Sequence, residues 1–229
     1  MHGRPKTWYF VRPGSKLADV YNILHVPYTA MVLAFVAIGA GVAPQVHVER
    51  LAAALVAYFL GLGVGAHAVD QLEPGGSHYV QSLSAGELRL MAAVGLGGGA
   101  ALGVLYALTV TAWLLPLVGL GLFFALAYPL PSRVAGGRFH NDATFAFAWG
   151  FLPLVTSYYA DSVMLTPVTL VVGAMTAIAA WTEIRLSRRA RSARKEGAPS
   201  DYEGPEKWLK ALVAATCLAA LALLAARLA

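Results

Sequence analysis

Seven stretches of about twenty residues with very little charge divide this sequence. They run roughly over 23–43, 51–70, 88–109, 112–130, 143–160, 163–184 and 208–228. A helix of about 20 apolar residues crosses the hydrocarbon core of a bilayer, so each stretch predicts one span. The chain of 229 residues is 58% hydrophobic and 13% charged, too few charges to cover a soluble domain of this length. The expected fold class is therefore an all-α, polytopic transmembrane helical bundle of seven spans. It forms a single membrane domain over 1–229, with no room for a separate soluble one.

The net charge of +5 does not point to nucleic acid, because the basic residues are sorted by position. With seven spans, one face carries the N-terminal segment and the loops after the second, fourth and sixth spans. Fifteen of the seventeen Lys and Arg fall there, leaving only Arg50 and Arg227 for the other face. The positive-inside rule then predicts a multi-pass protein of the cell membrane with a cytoplasmic N-terminus and an extracytoplasmic C-terminus. The first twenty residues are polar, which argues against a cleavable signal peptide. Cys217 is the single cysteine and lies in the last span, so an internal disulfide is excluded.

Between the spans the signals are local. Leu17, Val20, Tyr21 and Leu24 repeat at i, i+3, i+4, i+7, the pattern of a helix lying on the membrane surface within the cytoplasmic segment 1–22 and its junction with the first span. Gly95, Gly99 and Gly103, with Gly61 and Gly65 in the preceding span, have the small-xxx-small spacing of close helix packing. Pro116 and Pro153 fall inside spans. The run 185–207 is expected to be a basic cytoplasmic loop before the last span, 208–229, meeting anionic headgroups or serving only as a topology signal.

Polar residues collect at the cytoplasmic end. The stretch GVGAHAVDQLEPGG, 63–76, places His67, Asp70 and Glu73 at i, i+3, i+6 where a span ends. Such a trio can hold a hard divalent cation through carboxylate oxygens. It can equally be a histidine base held by an aspartate, or a helix end whose groups bond one another. In FHNDATF, 139–145, His140 and Asp142 are further candidates, although Asn141 or Asp142 is also a good helix N-cap. The histidines at 25, 67 and 140 leave zinc, and with it a metal-dependent lipid hydrolase, as an alternative. A non-catalytic lipid-binding or structural role is the other. A retinal protein is disfavoured, since Lys207 and Lys210 lie only at the start of the last span.

The order of these segments resembles the UbiA superfamily of intramembrane prenyltransferases. AHAVDQLEP, 66–74, stands where that family has its first aspartate-rich motif. YPLPSR, 128–133, is similar to its YPxxKR-like segment, and FAWGFLPLVTSYYA, 147–160, to its fifth span. In WTEIRLSRR, 181–189, only Glu183 stands for the second aspartate motif, and the family usually has nine spans rather than seven. AHAVDQL and GGRFHND also resemble segments of small, functionally uncharacterised membrane proteins. The resemblance implies a prenyltransferase-like activity on an isoprenoid or prenyl diphosphate in the inner leaflet, and magnesium as cofactor. It implies Asp70, Glu73 and His67 as metal ligands, His67, Asp70, His140 and Asp142 as catalytic residues, and Arg133, Arg138, Tyr128 and Glu183 at the substrate.

Overall fold

A computed structural model describes residues 7–74, 79–196 and 199–229, without the side chains at 195–196 and 199–200. Among the charges counted above, Arg4, Lys6 and Lys195 lie outside the described side chains. The described chain is helical throughout, with no strand. The elements are α1 (Lys16–Ile23), α2 (Val26–Val42), α3 (Val48–Gln71), α4 (Ala85–Thr109), α5 (Leu114–Ala127), α6 (142–162), α7 (Pro167–Glu196) and α8 (Pro199–Leu228).

Four of these, α3, α4, α7 and α8 (the last counted from Asp201), are long and apolar enough to cross a membrane, and α1 with α2 makes a fifth if their 45° bend joins one span. Two of the seven expected segments behave differently. α5 has 14 residues, about 21 Å at 1.5 Å per residue, because Pro129 and Pro131 stop it just past Tyr128. α6 is long enough, but its second half carries Thr156, Ser157, Tyr158, Tyr159 and Asp161. Most of α6 is buried against α2, α7 and α5, and a helix walled by protein needs no lipid-facing hydrophobic surface.

Contacts at the two ends fix the helix directions. At one end Arg227 of α8 donates to the carbonyls of Ala43 and Pro44 after α2, at 2.9 and 2.7 Å. There too Tyr106 near the end of α4 donates to the Glu49 carbonyl at the start of α3, and Arg50 to the Ala160 carbonyl of α6. At the other end His25 meets His67, Tyr128 meets His140, and Arg194 of α7 pairs with Glu206 of α8. Seven helices, α2 to α8, therefore alternate in direction. Their outer faces are apolar, with Leu90, Val94 and Leu108 of α4 and Leu218 and Leu221 of α8 all exposed.

α1 forms where the sequence pattern places it, N-capped by Ser15, but its faces are arranged for a membrane rather than for water. Leu17 is 81% exposed while Asp19 is fully buried. Asp19 accepts N–H bonds from Gln81 and Ser82, and Asn22 clamps Val11 through both its N–H and its carbonyl. The polar face thus holds the chain together, and Leu17 and Tyr21 are left on the exposed face.

The expected loop over 185–207 is not a loop. Among the described residues, α7 continues through Glu196 and α8 begins at Pro199, so the facing ends of both helices carry this polar run. The guanidinium of Arg194 grips the Glu206 carboxylate with two nitrogens and lies over the Tyr202 ring. These contacts join residues on two helices, which local composition does not reveal.

Candidate functional site

Two wide turns position the site. α3 is π-helical over Phe59–Ala66, where Gly61, Gly63 and Gly65 fall, and α6 is π-helical over Ala146–Phe151. In α6 the wide turn comes just before Pro153, whose missing N–H and bulky ring a regular helix accommodates poorly. π turns re-aim the residues around them and recur at functional sites. Here they present His67 and Trp149 to one cavity of about 400 Å³ at the end of the bundle.

Of the sequence candidates, His67, Asp70, Glu73, Tyr128 and His140 line this cavity. The structure therefore brings together the end of α3, the end of α5 and the start of α6. Nδ1 of His67 lies 3.1 Å from the Gly63 carbonyl. A carbonyl only accepts, so Nδ1 carries the hydrogen and Nε2 of the neutral ring keeps its lone pair. His140 is tied in the same sense, its Nδ1–H donating to the Tyr128 carbonyl at 2.8 Å while its ring stacks on that of Tyr128. Asp70 accepts a long bond from Gln71 at 3.4 Å.

Glu73 has a structural task. Its Oε1 accepts the Ser132 N–H at 2.8 Å and so ties the end of α3 to the loop after α5. Hydrogen bonding from Ser132 holds the Glu73 carboxyl below the usual carboxylate range, against the burial that raises it. Four other candidates lie outside the cavity lining. Arg133 and Arg138 are exposed on the loop after α5. Asp142 brackets Arg185 and Arg188 of α7, while Asn141 is the N-cap of α6, accepting from Thr144 N–H at 2.9 Å. Glu183 is 2% exposed within α7, and its Oε1 has no hydrogen-bond partner.

Among the described residues no group of three or more His, Cys, Asp or Glu side chains is arranged to hold a metal ion. The trio His67, Asp70 and Glu73 shares the cavity without forming a ligand set. His25 does approach His67, with ring centroids 4.4 Å apart, but His140 does not complete a three-histidine site.

Sequence reading grouped His25 with His67 only as a candidate zinc ligand, and missed Tyr28, Tyr79, Trp149, Arg188 and Arg191 as parts of the wall. His25 joins α1 to α2 in a left-handed conformation, φ 42°, and its Nδ1 lies 3.2 Å from the Tyr79 hydroxyl. Burial pushes the Tyr79 phenol well up, so it stays a hydroxyl at that contact. A signal for the arginines was present. Ile184, Arg188 and Arg191 follow i, i+4, i+7, one face of a helix, and all three line the cavity. The pattern is visible only once α7 is known to continue past Arg185.

Beneath this polar cavity lies an apolar crevice of about 110 Å³ between α3, α4, α5 and α6. Their linings come within about one helical turn of each other. Leu62, Ala125 and Ala148 line the crevice, while Ala66, Tyr128 and Trp149 line the cavity. Compared with known proteins, the chain matches no family model, no curated protein and no solved structure.

Proposed function

We propose that this protein is a seven-span, UbiA-like membrane protein that takes an isoprenoid or another lipid with an anionic head from the cytoplasmic leaflet. Prenyl-group transfer is the reaction that the resemblance adds to this reading. One observation carries it: a cavity lined by histidines, carboxylates and arginines lies within about a helical turn of an apolar crevice. A ligand with a charged head and a long apolar tail matches that sequence of environments. His67, with Nε2 free to accept, and Asp70 beside it are the groups placed to move a proton at the head.

Gly61 allows a direct test of the tail site. It lines the crevice, and a Cβ built there meets nothing within 4 Å. Gly61→Leu therefore starts from an unobstructed Cβ and extends its branch into the crevice. The variant is expected to melt close to the parent, yet to bind farnesyl diphosphate at least tenfold more weakly in detergent solution. Unchanged binding of that ligand would overturn the reading.

The alternating helix directions and the sorted charges support seven crossings with the cavity end in the cytoplasm. A reporter fused after Ala229 is expected to read extracytoplasmic and one inserted at Pro199 cytoplasmic. A cytoplasmic C-terminus would refute the seven-span topology.

A further inference from the structure

Among the described residues, two donors in the cavity wall, Arg191 and the Trp149 indole N–H, lack an anionic or hydrogen-bonding counterpart of the usual kind: Arg191 has no carboxylate and the indole no acceptor. Arg191 is half-buried in its wall, and no carboxylate among the described residues forms an ion pair with it. Its electrostatic neighbours are chiefly phenols, those of Tyr28, Tyr9 and Tyr128. One turn back, Arg188 reaches both Asp142 and the Tyr128 hydroxyl. Trp149 is 3% exposed and its indole N–H has no hydrogen-bond partner, while the Tyr28 hydroxyl, on a side chain 4% exposed, lies beside Arg191 and Ser187. Both side chains line the same cavity as the arginines.

A buried donor without a partner and a guanidinium without a counter-ion are each destabilising. One oxyanion relieves all of these at once. A cation relieves none, because Arg and the indole N–H have no lone pair to give. The donors come from three helices, α2, α6 and α7, and so line the cavity from more than one side. That arrangement suits tetrahedral phosphate better than planar carboxylate, and a guanidinium fork matches two phosphate oxygens.

We propose that Arg191 and Arg188, with the Tyr28 hydroxyl and the Trp149 indole N–H, hold a phosphate or diphosphate group directly, without a bridging divalent cation. The source of that group, a lipid head or free diphosphate, rests on the preceding reading; the head site itself does not. Recognition without a metal, and by Arg188 and Arg191 rather than Arg133 and Arg138, differs from what the UbiA resemblance implies, where aspartate-held magnesium bridges the diphosphate.

The test uses the full-length protein in detergent, stripped with EDTA, and titrates inorganic pyrophosphate and farnesyl diphosphate separately. The parent is expected to bind with EDTA present. Arg191→Gln should weaken binding at least tenfold, as for loss of a charge-assisted hydrogen bond. Tyr28→Phe, which keeps the shape and removes only the hydroxyl, should weaken it about fivefold at an unchanged melting temperature. Binding that appears only with added magnesium, or that neither substitution alters, would overturn the proposal. If pyrophosphate and farnesyl diphosphate bind equally well and Gly61→Leu affects neither, the lipid reading fails while the Arg191-dependent anion site stands.

Discussion

Replacing Gly95 by alanine is expected to destabilise the protein by about 3 kcal/mol, the upper end for overpacking a close contact. A Cβ at Gly95 would lie 2.6 Å from both the backbone nitrogen of Gly65 and the carbonyl oxygen of Leu60. Those obstacles are backbone, so neither can rotate away and α3 must separate from α4. Gly99 repeats the situation one turn on, with the Ala57 carbonyl 2.7 Å from its Cβ position. The control lies between them. Gly97 faces open space, so Gly97→Ala should be neutral or stabilise by up to about 1 kcal/mol through helix propensity alone. Reversible unfolding in mixed micelles would compare the two variants directly. Equal stabilities would show that the glycine seam does not hold α3 to α4.

Asp19→Ala is expected to cost about 3 kcal/mol, since N–H bonds to a charged acceptor are each worth about 1.5–3 kcal/mol. The fully buried Asp19 carboxylate accepts from Gln81, at 2.9 Å, and from Ser82. Those bonds pin the segment between α3 and α4 that carries Tyr79, whose N–H reaches Gln71 and whose hydroxyl reaches His25. Loss of Asp19 therefore loosens one wall of the cavity as well as the fold. Asp19→Asn keeps one acceptor oxygen and should recover about half of the loss. Thermal unfolding of the two variants, with pyrophosphate titration alongside, checks both consequences. A change in stability without any weakening of pyrophosphate binding would separate this loop from the site.

Much of the local architecture was legible in the sequence because it follows from local physics. Each expected apolar stretch contains the core of a helix, since apolar length and Pro or Gly punctuation act over a few turns. The i, i+3 relation of His67 and Asp70 put both at one end of α3, and the glycine spacing marked the α3–α4 seam. Counting crossings was harder. α6 is buried among other helices and carries polar residues in its second half, and α5 is shortened by prolines that lie just beyond it, so neither is long and apolar enough to count as a span by itself.

The makeup of the cavity was decided by tertiary structure. His25 and His67 touch across 42 positions of sequence, and Tyr79 joins them from a loop that Asp19 holds in place. Arg133, in the expected YPxxKR-like segment, and Arg138 beyond it stay exposed, while Arg188 and Arg191 reach the cavity because α7 continues as a helix past Arg185. Sequence by itself determined that the chain is helical, lipid-facing and polar at one end, because hydropathy and charge are properties of each segment alone. Which polar groups share a cavity depends on how the segments pack, and only the folded bundle sets that.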